Sequence, residues 1–134
     1  MKLNIRRLEE SDWSTLTSWW KTWKWPVMPK DALPDNGTGG FMVEKGEVPI
    51  VAGFIYTANS KTALLEWIIS NPEYKEKDRQ EAIELLIIGA ENVLKAHGYK
   101  YVISLGRNKS LIETHRKLGY SIDVKPSYEI IKKL

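Results

Sequence analysis

The run ALLEWIIS, residues 63–70, holds one carboxylate, Glu66, among apolar neighbours. A glutamate on such a strand loses hydration, and lost hydration raises its pKa toward that of a working general base. The competing role is a carboxylate on a solvated strand face, shared with Ile68 and Ser70 by period-two alternation. A second proton carrier, His115, lies in NKSLIETHRKLGY, residues 108–120, among Leu111, Ile112 and Leu118. Imidazole titrates close to neutral pH, which suits acid–base work, and it equally suits a surface or helix-packing position. The segment KEKDRQE, residues 75–81, sets Lys75, Lys77 and Arg79 against Glu76, Asp78 and Glu81 and is net neutral. It opens a helix, either as an anion site at the backbone N–H groups or as an ordinary start with acidic residues in its first turns. His97 falls in the last turn of that helix, where it complements the dipole and needs no function.

The elements that must carry these residues follow from pattern. KLNIRRL alternates as an opening strand, and Ser11 in EESDW is the expected N-cap of a helix that ends before Pro26. PVMPKDALPDNGTGG, residues 26–40, collects proline and glycine as a loop or short irregular helix. Three strands then form a meander: Phe41–Val43 and Val48–Thr57 join through EKGE, and ANSK leads to Leu64–Ser70. RQEAIELLIIGAENVLKAHG places Ala82, Ile83, Leu86, Ile87, Ala90, Val93 and Leu94 at helical spacing and ends on a left-handed Gly98. YKYVISL reads as a strand, Asn108 caps a helix stopped by Gly119, and YSIDV and SYEIIKK are expected to close the chain as a hairpin pair. The order is β-α-loop-β-β-β-α-β-α-β-β, an α+β pattern with a mixed, mostly antiparallel sheet flanked by helices.

The stretch SWWKTWKWP, residues 18–26, is crowded with tryptophan. At ~100° per residue, Trp13, Leu16, Trp19, Trp20 and Trp23 fall within an arc of roughly 120°, a core-facing stripe, whereas Trp25 points the other way. Trp25 is the candidate for a substrate or partner surface, or for packing against PVMP.

With 134 residues the chain is read as a single domain, 1–134, long enough for one core. It has no cysteine and two histidines, which excludes thiolate chemistry and disulfides and leaves no expectation of a metal. No signal-like or membrane-spanning run is present, so a cytoplasmic location without membrane attachment is expected. A net charge of +3 with interspersed signs favours solubility over a nucleic-acid footprint, and no nucleic-acid partner is expected.

Over essentially its whole length the chain resembles the GNAT superfamily of acyl-CoA N-acyltransferases. The resemblance rests on ISNPEY, similar to the end of that family's fourth strand, on the long helix after it, and on NKSLIETHRKLGY. The last matches N-x-x-A-x-x-x-Y-x-K-x-G-F at Asn108, Lys117, Gly119 and Tyr120, with His115 where the family usually has tyrosine. The pyrophosphate fingerprint R/Q-x-x-G-x-G/A aligns with Lys77, Gln80 and Ala82, of which Ala82 matches outright.

The resemblance implies acetyl-CoA as cofactor, contacted by Lys77, Gln80, Ala82, Asn108 and the backbone of Ile69 and Ser70. It implies Glu66 as the base that accepts the amine's proton, directly or through water, and His115 as the acid for the thiolate. The acceptor would be an amine of a small molecule or protein, with the 25–40 loop bordering its pocket. The alternative is a GNAT-fold structural or interaction module that has lost the cofactor site, with Trp25 and that loop as a protein-binding surface.

Overall fold

The computed structural model describes residues 1–134. Strands β1 (Leu3–Arg7), β2 (Gly40–Lys45), β3 (Val48–Thr57), β4 (Thr62–Ser70) and β5 (Tyr101–Ser104) form one sheet in the order 1-2-3-4-5. Neighbours are antiparallel up to β4, and β4 pairs with β5 in parallel. A parallel neighbour requires a crossover, which is supplied by helix α2 (Arg79–Ala96). Helix α1 (Trp13–Thr22) precedes β2, and helix α3 (Lys109–Lys117) follows β5. None of the helices is long and apolar enough to cross a membrane.

The two faces of the sheet carry separate cores. On one, Leu16, Trp19 and Trp20 of α1 pack with Met42, Ala52, Phe54 and Ile69. Trp20 stacks on Phe54 at 6.4 Å between ring centroids and meets Trp13 edge-on at 5.6 Å. On the other, Ala82, Leu86, Ile87 and Ala90 of α2 pack with Phe41, Val43, Val51 and Leu65. Gly98 and Gly119 take left-handed φ of 88° and 97° at the ends of α2 and α3, as their sequence positions predict.

Three expectations are corrected. Ser11 does not cap α1: a 3₁₀ turn at Glu10–Asp12 precedes it, and the Asp12 carboxylate accepts from Glu9 N–H at 2.8 Å. Arg6 selects Asp12 for this task by donating to both its oxygens at 2.8 Å while also reaching Glu44 at 3.0 Å. Trp23 leaves the buried stripe. The helix ends at Thr22 and Lys24 turns to φ 61°, so the 3.6-residue phase no longer applies, and Trp23 and Trp25 are exposed to 42% and 38%. Finally, residues 120–134 form no strand: they pair neither with each other nor with the free edge of β5.

The Arg6 guanidinium holds the Asp12 carboxyl below its usual range, so its stabilisation is present above the unfolded pKa of ~3.9 and is lost as pH falls. Asp12→Asn should therefore lower stability by about 1–3 kcal/mol at pH 7 in urea unfolding, with the difference closing below about pH 4. Acrylamide quenching should lose an accessible tryptophan component in Trp23→Phe and in Trp25→Phe alike, and in neither Trp19→Phe nor Trp20→Phe.

Candidate active site

Strand β4 contains the structural feature on which the site is built. Ala52 pairs with Ile69 and Phe54 with Glu66, so Gly53 alone faces two residues, Trp67 and Ile68. This is a β-bulge, and Trp67 takes φ 56°, a left-handed value that is strained for an aromatic residue. The extra residue reverses the alternation: Leu65 and Ile68 both join the α2 core, whereas Ile69 and Trp67 join the α1 side. Glu66 lies opposite Phe54 and so shares the α1 face, not the face of Ile68 as simple alternation predicts.

The bulge also coincides with the end of the parallel ladder. Pairing of β4 with β5 runs from Thr62–Tyr101 to Leu65–Ser104 and stops, while β4 continues to Ser70. The β5-facing edge of residues 66–70 is therefore open. Glu66 stands half-buried at the mouth of this opening, its pKa raised first by burial and then by the charge of Glu129. On the adjacent strand the Tyr56 hydroxyl accepts from Trp67 Nε1 at 3.0 Å and donates to Ala32 O at 3.1 Å, pinning the 26–40 loop over this face. Burial raises the Tyr56 pKa, against the opposing pull of the Trp67 bond. Glu129 comes from the C-terminal segment: its side chain is 30% exposed between the exposed Tyr128 and Ile130, and it lies 3.9 Å from Arg107.

At the far end of β4, Ser70 is engaged twice. Its carbonyl accepts from Trp23 Nε1 at 2.8 Å and its hydroxyl oxygen from Arg79 at 3.1 Å. Arg79 thus ties the start of α2 to the open strand, and its Nε is buried without a partner. Arg79 N–H bonds Glu76 O and Ala82 N–H bonds Asp78 O, which leaves the N–H groups of Gln80 and Glu81 as the free donors of this helix start. Ala82 itself is a core residue with no open donor. The Gln80 side chain donates to Thr114 Oγ1 at 2.7 Å across a groove of about 380 Å³ lined by Gln80, Ser110, Glu113, Thr114 and Lys117. Lys77 is exposed and is not among the lining residues.

Asn108 caps α3 as expected, accepting from Ser110 and Leu111 N–H at 2.8 and 3.2 Å. His115 is buried, with Nδ1 2.9 Å from Leu111 O and its ring edge-on to Tyr120 at 4.9 Å. A carbonyl only accepts, so the neutral ring carries its proton on Nδ1, and Nε2 is buried without a partner. Tyr120 in turn donates to Glu91 at 2.8 Å, and burial raises its pKa. Glu66 and His115, expected on either side of a thioester, stand on β4 and α3, and the structure records no direct hydrogen bond between them.

The same overall fold is found in solved acetyltransferases. A GNAT-family acetyltransferase from Streptococcus pneumoniae superposes with a TM-score of 0.69 at 14% identity, covering 98% of this chain and 100% of that one. A Trypanosoma brucei acetyltransferase gives 0.68 at 18%, covering 97% and 100%. AAC(6')-Iy, solved with the bisubstrate analogue CoA-S-monomethyl-acetylneamine, gives 0.66 at 18% over the whole of both chains. The chain has the GNAT acetyltransferase fold. No protein-family model matches the sequence and no curated protein matches it, so the likeness is one of fold.

Within that fold, Arg79, Tyr56 and Glu129 join the site without having been selected from sequence. Arg79 had a signal, as a cation in the first turn of the helix; Tyr56 and Glu129 had none, because only the sheet and the path of the C-terminal segment bring them to Glu66. The burial of Glu66 has a measurable sign. Its folded pKa is raised above the unfolded ~4.3, so the wild type loses stability as pH climbs through the folded pKa. Glu66→Gln carries no charge, and its melting temperature should exceed that of the wild type at pH 8 by more than at pH 4.5. An equal gap at both pH values would show that Glu66 ionises without penalty.

Proposed function

We propose that the chain is an acetyl-CoA-dependent N-acetyltransferase acting on an amine of a small molecule or protein. The observation that carries this is the coincidence, within β4, of the Trp67 bulge, the end of the β5 ladder and a half-buried Glu66. The chain's residues fit the cofactor. The free N–H groups of Gln80 and Glu81 and the unpartnered Arg79 Nε suit a pyrophosphate, and the groove between α2 and α3 suits the arm that follows it, with Lys77 ahead of α2 and Asn108 capping α3. Acetyl-CoA, when bound, supplies the acetyl group as a thioester.

Glu66 accepts the proton of the acceptor ammonium, for which its raised pKa is suited. Of Ile69 and Ser70, the Ile69 N–H faces β3 in register with Asn71, which bonds Ile50 O, so the open edge offers the Ser70 N–H to a developing oxyanion. Trp67 and Tyr56, hydrogen-bonded to each other, wall the amine side, and the exposed Trp23 and Trp25 continue that wall outward along the 26–40 loop. His115 serves to pack α3, since its proton is committed to Leu111.

A second reading, a module without cofactor, is favoured by one observation: the Gln80 side chain bridges the helix start to Thr114, in the path an anion would take. Calorimetric titration with acetyl-CoA separates the two. Saturable binding is expected, with a thermal stabilisation of about 2.7 kcal/mol at 100 times the Kd. Gln80→Gly should bind more tightly despite a helix-propensity cost of up to ~1 kcal/mol. Glu66→Gln should reduce turnover by ~10²-fold or more with the Kd for acetyl-CoA unchanged. Absence of binding at millimolar acetyl-CoA in both wild type and Gln80→Gly would establish the module instead.

A further inference from the structure

Four buried side-chain atoms lack a hydrogen-bond partner: Trp20 Nε1, Arg79 Nε, Ser104 Oγ and His115 Nε2. A buried polar group without a partner is unfavourable, so each marks something the fold leaves to be satisfied. Trp20 lies within the α1-side core. Arg79 stands at the start of α2, and His115 carries its proton on Nδ1, so its Nε2 can only accept. Ser104 alone of the four is a donor on the sheet.

Register fixes its place. Ser104 pairs with Leu65 in the last rung of the β4–β5 ladder, beyond which the two strands no longer pair. Residues paired across a ladder share a face, and Leu65 belongs to the core beneath α2. Val102, two residues before Ser104, packs on the same core, whereas the alternate residues Tyr101 and Ile103 are exposed. Leu118 and Tyr120, at the end of α3, join that core too, so α3 lies on this face beside α2. Glu66, the residue after Leu65, shares the opposite, α1 face. The end of the ladder thus presents a carboxylate on one face of the sheet and, one residue away, a buried unpaired hydroxyl on the other.

We propose that the Ser104 hydroxyl is the hydrogen-bond donor to the sulfur of the bound cofactor, an inference that rests on the acetyl-CoA reading of the site. An arm entering between α2 and α3 reaches the end of the ladder on the Ser104 face, and an amine that meets Glu66 comes from the other. In the transfer the amine nitrogen bonds the acetyl carbon, its proton passes to Glu66, and the carbon–sulfur bond breaks with its electron pair left on sulfur. Ser104 keeps its own proton, because an aliphatic hydroxyl is too weak an acid to protonate a thiolate whose conjugate acid titrates, like that of cysteine, at ~8.5. It donates instead to the charge that develops on sulfur. Hydrogen bonds to a charged acceptor are the stronger kind, so the contact tightens as the bond breaks and favours the transition state over the thioester. His115 cannot take this part, since the one proton of its neutral ring is bonded to Leu111.

Calorimetric titration with CoA and with desulfo-CoA, in which hydrogen replaces the thiol, tests this without turnover. Above the thiol pKa the wild type should bind CoA about tenfold or more tightly than desulfo-CoA. Ser104→Ala should lose most of that preference while binding desulfo-CoA as the wild type does. The thiolate absorbance of bound CoA, followed against pH, should give a thiol pKa about one unit higher in Ser104→Ala than in the wild type. Equal wild-type affinity for the two ligands, or a thiol pKa that does not move in the variant, would overturn the inference and leave the cofactor reading intact. A loss of desulfo-CoA affinity equal to the loss for CoA would overturn it as well, by showing that Ser104 only packs. Failure of the wild type to bind either ligand would overturn the cofactor reading and the inference with it.

Discussion

Two residues of β4 facing one residue of β3 is the constraint from which the site follows. Gly53 occupies the single side of that pairing for a steric reason. A Cβ there would meet Leu86 at 3.2 Å and Leu65 and Ile68 at 3.4 Å, the side chains that seat α2 on the sheet. A bulge next to a larger residue would either lift α2 or lose its close packing. The left-handed Trp67 costs of order 1–3 kcal/mol, offset by its hydrogen bond to Tyr56 and its packing beside Phe54 and Ile69. Strain at this residue is thus stored two residues past the end of the β5 ladder.

The rest of the fold holds that bend in place from both faces. α1 presses Trp20 onto Phe54, the pairing partner of Glu66, so the carboxylate is set against a rigid aromatic layer and not a mobile loop. α2 packs on the opposite face and delivers its first residue, Arg79, to Ser70 at the strand end. The Arg6–Asp12–Glu44 group joins β1, the entry to α1 and β2, which fixes the angle at which α1 crosses the sheet. Base, open backbone edge and helix start are therefore positioned by elements packed on three sides.

Much of this scaffold was legible. The meander, α2 with its Gly98 terminus and the Asn108 cap depend on local chemistry, namely turn residues, 3.6-residue spacing and a side chain that reaches its own backbone. The bulge was not, because ALLEWIIS is apolar on either side of Glu66 and an inserted residue leaves no break in the pattern. Trp23 was misplaced for a related reason: a helical phase carries no information past the residue where the helix stops, and Lys24 stops it. The terminal strands show the limit of propensity. YSIDV and SYEIIKK have the composition of strands, yet a strand is defined by its pairing, and they pair neither with each other nor with β5.

The helix start illustrates how pairing alters a charge balance that sequence presents as even. Residues 75–81 contain equal numbers of cations and anions, but Asp78 is held by Lys45 at 2.8 Å and by Tyr74 at 2.6 Å, and both partners lie outside that count of charges. Lys45 keeps the Asp78 carboxyl below its usual range, so this anion is paired with a cation from β2. Across the groove, Lys117 and Glu84 cancel at 3.1 Å. What remains in residues 75–81 is Lys75, Lys77 and Arg79 against Glu76 and Glu81, together with two free backbone N–H groups. The field at this helix start is therefore positive without the glycines that usually let a phosphate approach, and access, governed by the Gln80 side chain, rather than charge is what limits an anion here.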